Sequence, residues 1–189
     1  MDLRERGAGG RRPAAMSAFV EVVPEGWWAL GDADGFFPED LPPEWRLTYY
    51  ANQFGAVLVP PDAWPAGTAL RDWRDDVHGG FRFYLGWDDR AGAGTARELL
   101  DQAHGALGDT LAAVVRYPTL ELLTAGAGEP LGSAVRCPRR RSGDMRAARA
   151  WGEALVRQQP GSHLVILDRP TAAQLEAWRT LTALMGLHA

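Results

Sequence analysis

Three apolar runs in the chain end in an arginine close before a proline: Arg116-Tyr117-Pro118, Arg136-Cys137-Pro138 and Asp168-Arg169-Pro170. Three others lead to tryptophan with acids nearby. These are Glu25 with Trp27 and Trp28, Asp62 with Trp64, and Trp87 with Asp88-Asp89. A guanidinium presents a planar fork of N–H donors that matches a carboxylate or phosphate, and an indole offers a flat wall. Arg116, Arg136 and Arg169 as cationic contacts, Trp28, Trp64 and Trp87 as walls, and Asp88 beside them therefore define a candidate pocket for a small anionic ligand. The competing reading is that Arg, Asp and Pro are common where strands stop, and that neighbouring charges pair with each other.

Other residue types carry less chemistry. Asp88-Asp89 could serve acid–base or metal chemistry, although adjacent acids in a Gly-rich loop are commonly just solvated. Cys137, the single cysteine, stands beside Arg136 and the run Arg139-Arg140-Arg141. Nearby cations would favour its thiolate, but no partner histidine is in view. His78 and His104 precede helix-terminating glycines, His188 lies at the chain end, and His163 falls at the amino end of a strand, the wrong face for catalysis. No His and carboxylate share a metal-site spacing. Gly92-Ala93-Gly94 is too short for a dinucleotide fingerprint and nothing resembles a phosphate-binding loop, so neither a metal nor a cofactor is expected.

Composition narrows the class further. All 20 basic residues are arginine and Ile166 is the single isoleucine. Such a pattern reflects coding bias before it reflects selection for arginine, so each arginine must argue from its position. A net charge of −4 leaves no electrostatic footprint for a nucleic-acid binder. No apolar run approaches the ~20 residues that span a bilayer, and one cysteine allows no internal disulfide. Residues 1–15 read as a basic, Gly-rich tail without a secretory signal, and Met16 is an alternative start. The remainder, 16–189, reads as a single cytoplasmic domain.

The elements that must position the candidate pocket alternate regularly. Phe19–Val23, Ala56–Val59, Phe81–Leu85, Leu111–Val115, Leu131–Val135 and Leu164–Leu167 read as six short strands, mostly apolar without alternation. Helices are expected over 42–54, 69–77, 95–107, 144–159 and from Thr171 onward, with Thr95, Asp144 and Thr171 as N-caps. Unalternating strands separated by helices indicate βαβ units in a mainly parallel sheet covered on both faces. Ligands in such folds sit beyond the carboxyl ends of the strands, where the candidate residues fall. Six strands are too few for a complete eightfold barrel, so the fold expected is a reduced or incomplete (β/α) barrel or an open sheet. Trp45, Trp73, Trp151 and Trp178 fall on the helices and read as packing residues.

The segment Phe36-Phe37-Pro38-Glu39-Asp40-Leu41-Pro42, with Trp45, Tyr49-Tyr50-Ala51, Phe54, Val57 and the upstream Gly26-Trp27, resembles the start of the YecE-like proteins, domain-of-unknown-function family 72. The resemblance covers about forty residues and implies a TIM-barrel-like fold; it implies little about a reaction. The family's second strand ends in a glutamate–isoleucine–asparagine run. Here the positions read Val57-Leu58-Val59-Pro60-Pro61, without the acid and the amide, as in a divergent and shortened member. Two functions stay open: a small-molecule binding or hydrolytic domain, and a non-catalytic interaction or structural protein that has lost the polar strand end. A homodimer is compatible with either.

Overall fold

The computed structural model describes residues 19–63, 67–88, 96–123, 132–159 and 161–187. Seven strands make one sheet: β1 (Val20–Pro24), β2 (Ala56–Val59), β3 (Arg82–Asp88), β4 (Leu111–Tyr117), β5 (Glu121–Leu123), β6 (Gly132–Arg136) and β7 (Ser162–Leu167). Their order is β1-β7-β6-β5-β4-β3-β2. An isolated parallel bridge from Glu25 to Leu58 brings the two outer strands together, so the sheet is nearly closed and barrel-like. Six strands run parallel. The exception is β5, which is antiparallel to both β4 and β6.

That strand is the main departure from the sequence expectation of six. Glu121-Leu122-Leu123 is too short to carry a period of its own. It exists because the chain reverses tightly after β4, where Leu120 takes a left-handed φ of 60° and donates its amide to the Arg116 carbonyl. The other six strands lie where they were expected, Ala56–Val59 at both ends and the rest with ends shifted by at most three residues.

Most strands are buried on two sides, with helices outside and an apolar barrel interior; β5 is an exception, with Glu121 exposed. Alternate residues separate cleanly. Val23, Leu58, Tyr84, Val115, Leu122, Ala134, Leu164 and Ile166 pack together in the barrel interior. Val57, Val59, Phe83, Leu85, Val114, Val165 and Leu167 face the helices. Two apolar faces per strand explain the absence of polar alternation.

The helices are α1 (Ala33–Phe36), α2 (Arg46–Ala51), α3 (Gly67–Asp75), α4 (Ala96–Leu107), α5 (Arg139–Ser142), α6 (Met145–Gln158) and α7 (Ala172–Leu184). Asp144 caps α6, accepting from the Arg146 and Ala147 amides. Thr171 opens α7 with a capping box completed by Gln174. No helix among the described residues is long and apolar enough to cross a membrane. Of the four helical tryptophans, Trp178 is fully buried and donates its indole N–H to the Ser142 carbonyl, with Trp151 edge-on at 6.1 Å. Trp73 packs against Trp27 and Phe83. Trp45 is 62% exposed, so it is not the packing residue its helical spacing suggested.

Candidate functional site

The parity of each strand decides which side chains reach the mouth at the carboxyl ends. In β4 the inward set contains Val115 and Tyr117, so Tyr117 enters the mouth and Arg116 turns to the outer face. In β6 the inward residue Ala134 puts Arg136 on the inner face two positions later. The same alternation puts Glu25 after Val23, Asp88 after Tyr84 and Asp168 after Ile166 on that face. Five strands therefore contribute polar ends to one rim: Glu25, Asp88, Tyr117, Arg136 and Asp168.

Three of these residues are locked together. Arg136 donates from Nη1 to Glu25 Oε2 at 2.5 Å and from Nη2 to Oε1 at 2.9 Å. The Tyr117 hydroxyl donates to Glu25 Oε1 at 2.7 Å, and the guanidinium lies 5.6 Å from the centre of the tyrosine ring. Gly86 makes room for that ring: a Cβ there would stand 2.9 Å from Tyr117 Cε2 and 2.8 Å from Pro61 Cδ. The Arg136 hydrogen bond holds the Glu25 carboxyl below the ordinary glutamate range, against the opposing effect of burial. Burial, followed by the hydrogen bond to Glu25, drives the Tyr117 phenol upward. Asp168 accepts from Arg139 Nε at 2.5 Å, and this bond lowers its pKa, with Arg136 and Arg169 adding to the effect. Glu25 and Asp168 are thus anions and Tyr117 a neutral phenol at neutral pH. Such groups are able to interact through charge and hydrogen bonding.

The predicted site residues divide accordingly. Arg136 is in the mouth, with its side chain 42% exposed. Arg169 is exposed, with a left-handed φ of 46°, and acts on the same Asp168 as Arg136. Arg116 does not join them: it pairs with Glu121 at 3.1 Å on the outer face and lies 5.3 Å from the Trp87 ring. Trp87 is part of β3, buried and turned toward the helices with Phe83 and Leu85, so it is not a wall of the mouth. Trp28 follows the end of β1, half-exposed, folded over Gly26 and edge-on to Trp27 at 4.5 Å. Asp88 closes β3 opposite Tyr117. Trp64 and Asp89 lie outside the described residues.

The sequence marks Tyr117 only as a neighbour of Arg116, Glu25 only as a strand-end acid, and Arg139 only within an arginine run that could meet an anion. The signal for Tyr117 and Glu25 was parity: each lies an even number of residues from an interior strand position. Cys137 is buried, and burial pushes its thiol up to about 11, outweighing the nearby Arg141. Position beside arginines therefore does not make it a thiolate. His163 is buried on the helix side of β7, within hydrogen-bond distance of Ser133 Oγ (3.1 Å) and the Gln159 carbonyl (2.6 Å). His78 contacts the Ala51 carbonyl at 3.1 Å. Among the described residues no three His, Cys, Asp or Glu side chains are grouped to hold a metal ion.

The site and sheet describe an α/β protein with a nearly closed, mostly parallel barrel-like sheet and a charged rim at its carboxyl end. No family model, curated protein or solved structure matches the chain.

Proposed function

We propose that the protein binds a small anionic ligand at the carboxyl-end mouth of its barrel, with Arg136 as the principal cationic contact. The observation that carries this reading is the guanidinium itself. It stands on the inner face at the mouth, half-exposed, with its plane fixed by Glu25 and Tyr117. Its Nε–H is not engaged by either partner and can meet an incoming acceptor. A pre-oriented fork loses little side-chain entropy when a ligand arrives. Arg169 and Arg139 add positive charge near Asp168, and Trp28 supplies an accessible aromatic face.

The reading also keeps the chain as a divergent, shortened relative of the YecE-like proteins with a TIM-barrel-like ancestry. The segment that carries the resemblance packs as one aromatic cluster of Phe36, Phe37, Tyr49, Tyr50 and Phe54 between the first and second strands. An experimental structure of a YecE-like protein with this segment packed elsewhere would remove that support.

A panel of inorganic phosphate and small mono- and dicarboxylates, titrated calorimetrically, tests the binding reading. At least one should bind saturably, and Arg136→Gln should weaken it by about tenfold or more, or ~1.4 kcal/mol. Arg116→Gln, on the outer face, should leave binding unchanged. The closed triad of Glu25, Arg136 and Tyr117 also suits the second function, a structural or interaction protein with no ligand. That reading is favoured if no anion of the panel binds while Arg136→Gln still lowers stability, as loss of its pair with Glu25 would.

A further inference from the structure

The amino end of the barrel is built differently from the mouth. At this level three of the residues lining the interior are small, Ala112, Ala113 and Ser162, beside the larger Tyr84, Leu122 and Leu164. The reason lies in the pairing of β3 with β4. Phe83 registers with Leu111 but Tyr84 with Ala113, so Ala112 is an extra residue that bulges into the barrel. A bulge re-aims side chains locally, and here it gives two alanines to the interior wall where one larger side chain would have filled the space. The result is a cavity of about 200 Å³, walled by Ala112, Ala113, Leu122 and Leu164 and bounded at the amino end by Phe19 and Arg82.

Its polar groups are unevenly used. The Glu21 carboxylate, nine-tenths buried, accepts from Arg82 Nε at 3.0 Å on both oxygens and from Nη2 at 2.5 Å. It also accepts the Tyr84 hydroxyl. Four contacts saturate its lone pairs, so it has little left to offer a cation. Arg82 has five N–H donors, of which its Nη1 pair contacts no acceptor among the described residues, and its side chain is 42% exposed. Ser162 is buried, lines the cavity and makes no side-chain hydrogen bond among the described residues. The spare capacity is therefore almost entirely donor capacity, set at the edge of an apolar chamber.

We propose that this cavity is a second binding site, separate from the carboxyl-end mouth, for a small apolar monocarboxylate. The carboxylate meets Arg82 and the Ser162 hydroxyl, and the apolar body fills the space beside Ala112, Ala113 and Leu122. Volume sets the scale of the body: a cavity of about 150 Å³ accommodates a benzene ring, so the chamber accommodates a ring or a short branched chain. Glu21 acts as a positioning residue that fixes Arg82.

Benzoate is the probe, followed by methyl NMR of the full chain. Benzoate should shift the methyl signals of Ala112, Ala113, Leu122 and Leu164 saturably, and benzylamine, of equal size and opposite charge, should bind at least about tenfold more weakly. Ala113→Leu, which fills the chamber without touching the ion pair, should abolish those shifts. If that variant fails to fold, Ser162→Ala removes the free hydroxyl at nearly constant volume and should weaken benzoate about two- to tenfold. The proposal is overturned by benzoate shifts confined to the opposite mouth, around Val115 and Ile166, or by no saturable shift at all. Benzylamine binding as tightly as benzoate would overturn it too. Anion binding at the mouth can fail without bearing on this result, because the two sites are read by different methyl groups.

Discussion

Arg136, Glu25 and Tyr117 form a set in which each member sets the ionisation of the others. Replacing Arg136 by Ala leaves a half-buried carboxylate with the Tyr117 hydroxyl as its remaining partner in the set. The expected loss of stability at neutral pH is at or below the lower end of the ~1.5–3 kcal/mol for a hydrogen bond to a charged group, because solvent screens the pair. Glu25 has its folded pKa below the unfolded value near 4.5. Its stabilising contribution is therefore complete above that value and disappears as pH falls through the folded pKa. The difference between wild type and Arg136→Ala, measured by urea unfolding, should shrink as pH is lowered through that window. A difference that stays constant would mean that packing of the arginine stem, not charge, accounts for the loss. At this scale the sequence was legible up to a parity. Strand ends could be recognised, and Arg136 does lie at the inner face of the mouth. Arg116 was selected over its neighbour Tyr117 because nothing in a strand buried on both faces marks which residues point inward. One position exchanges the faces.

Helix α7 shows how far local signals reach at the scale of an element. Thr171 accepts from the Gln174 amide, and the Gln174 side chain accepts from the Thr171 amide at 3.0 Å. Thr171 is recognisable in the sequence as an N-cap; its partner Gln174 is supplied by the structure. The helix they start places Leu175 and Trp178 in the core, and three residues past its end the Leu187 carbonyl accepts the Val20 amide at 2.6 Å. Thr171→Ala should cost about 1 kcal/mol in thermal or chemical unfolding, while Thr171→Ser, which keeps the acceptor, should cost a fraction of that. Equal losses for the two would point away from the cap. Caps were readable because they depend on residues three apart in the chain. β5 was not readable because its pairing depends on two strands that its own three residues do not specify. The exposure of Trp45 was hidden for a related reason. Helical spacing predicts a common face, but the first turn, Pro43–Trp45, is a 3-10 turn with a different angular step.

Closure of the barrel is a property of the whole molecule, and its two flanks are unequal. β1 pairs with β7 over five consecutive residue pairs, from Val20 with His163 to Pro24 with Leu167. On its other side β1 meets β2 through the Glu25–Leu58 bridge, with the Gly26 amide donating to the Leu58 carbonyl at 2.7 Å. Gly26 holds this bond at a φ of 88°, a conformation suited to glycine, with the Trp28 ring folded over it at a distance a Cβ would violate. A seam made by so few backbone bonds should open at lower free energy than the ladders around it, since local opening is governed by the contacts it must break. Native-state hydrogen exchange should therefore show the Gly26 amide exchanging through a sub-global opening, while amides of the β1–β7 ladder exchange only on global unfolding. Gly26→Ala should widen that gap by straining the turn and displacing Trp28. The same variant should weaken any ligand held at the mouth, because Glu25 sits at the seam and orients Arg136. Equal protection for Gly26 and the β1–β7 ladder would mean that the side chains packed across the seam, rather than its hydrogen bonds, hold the barrel shut.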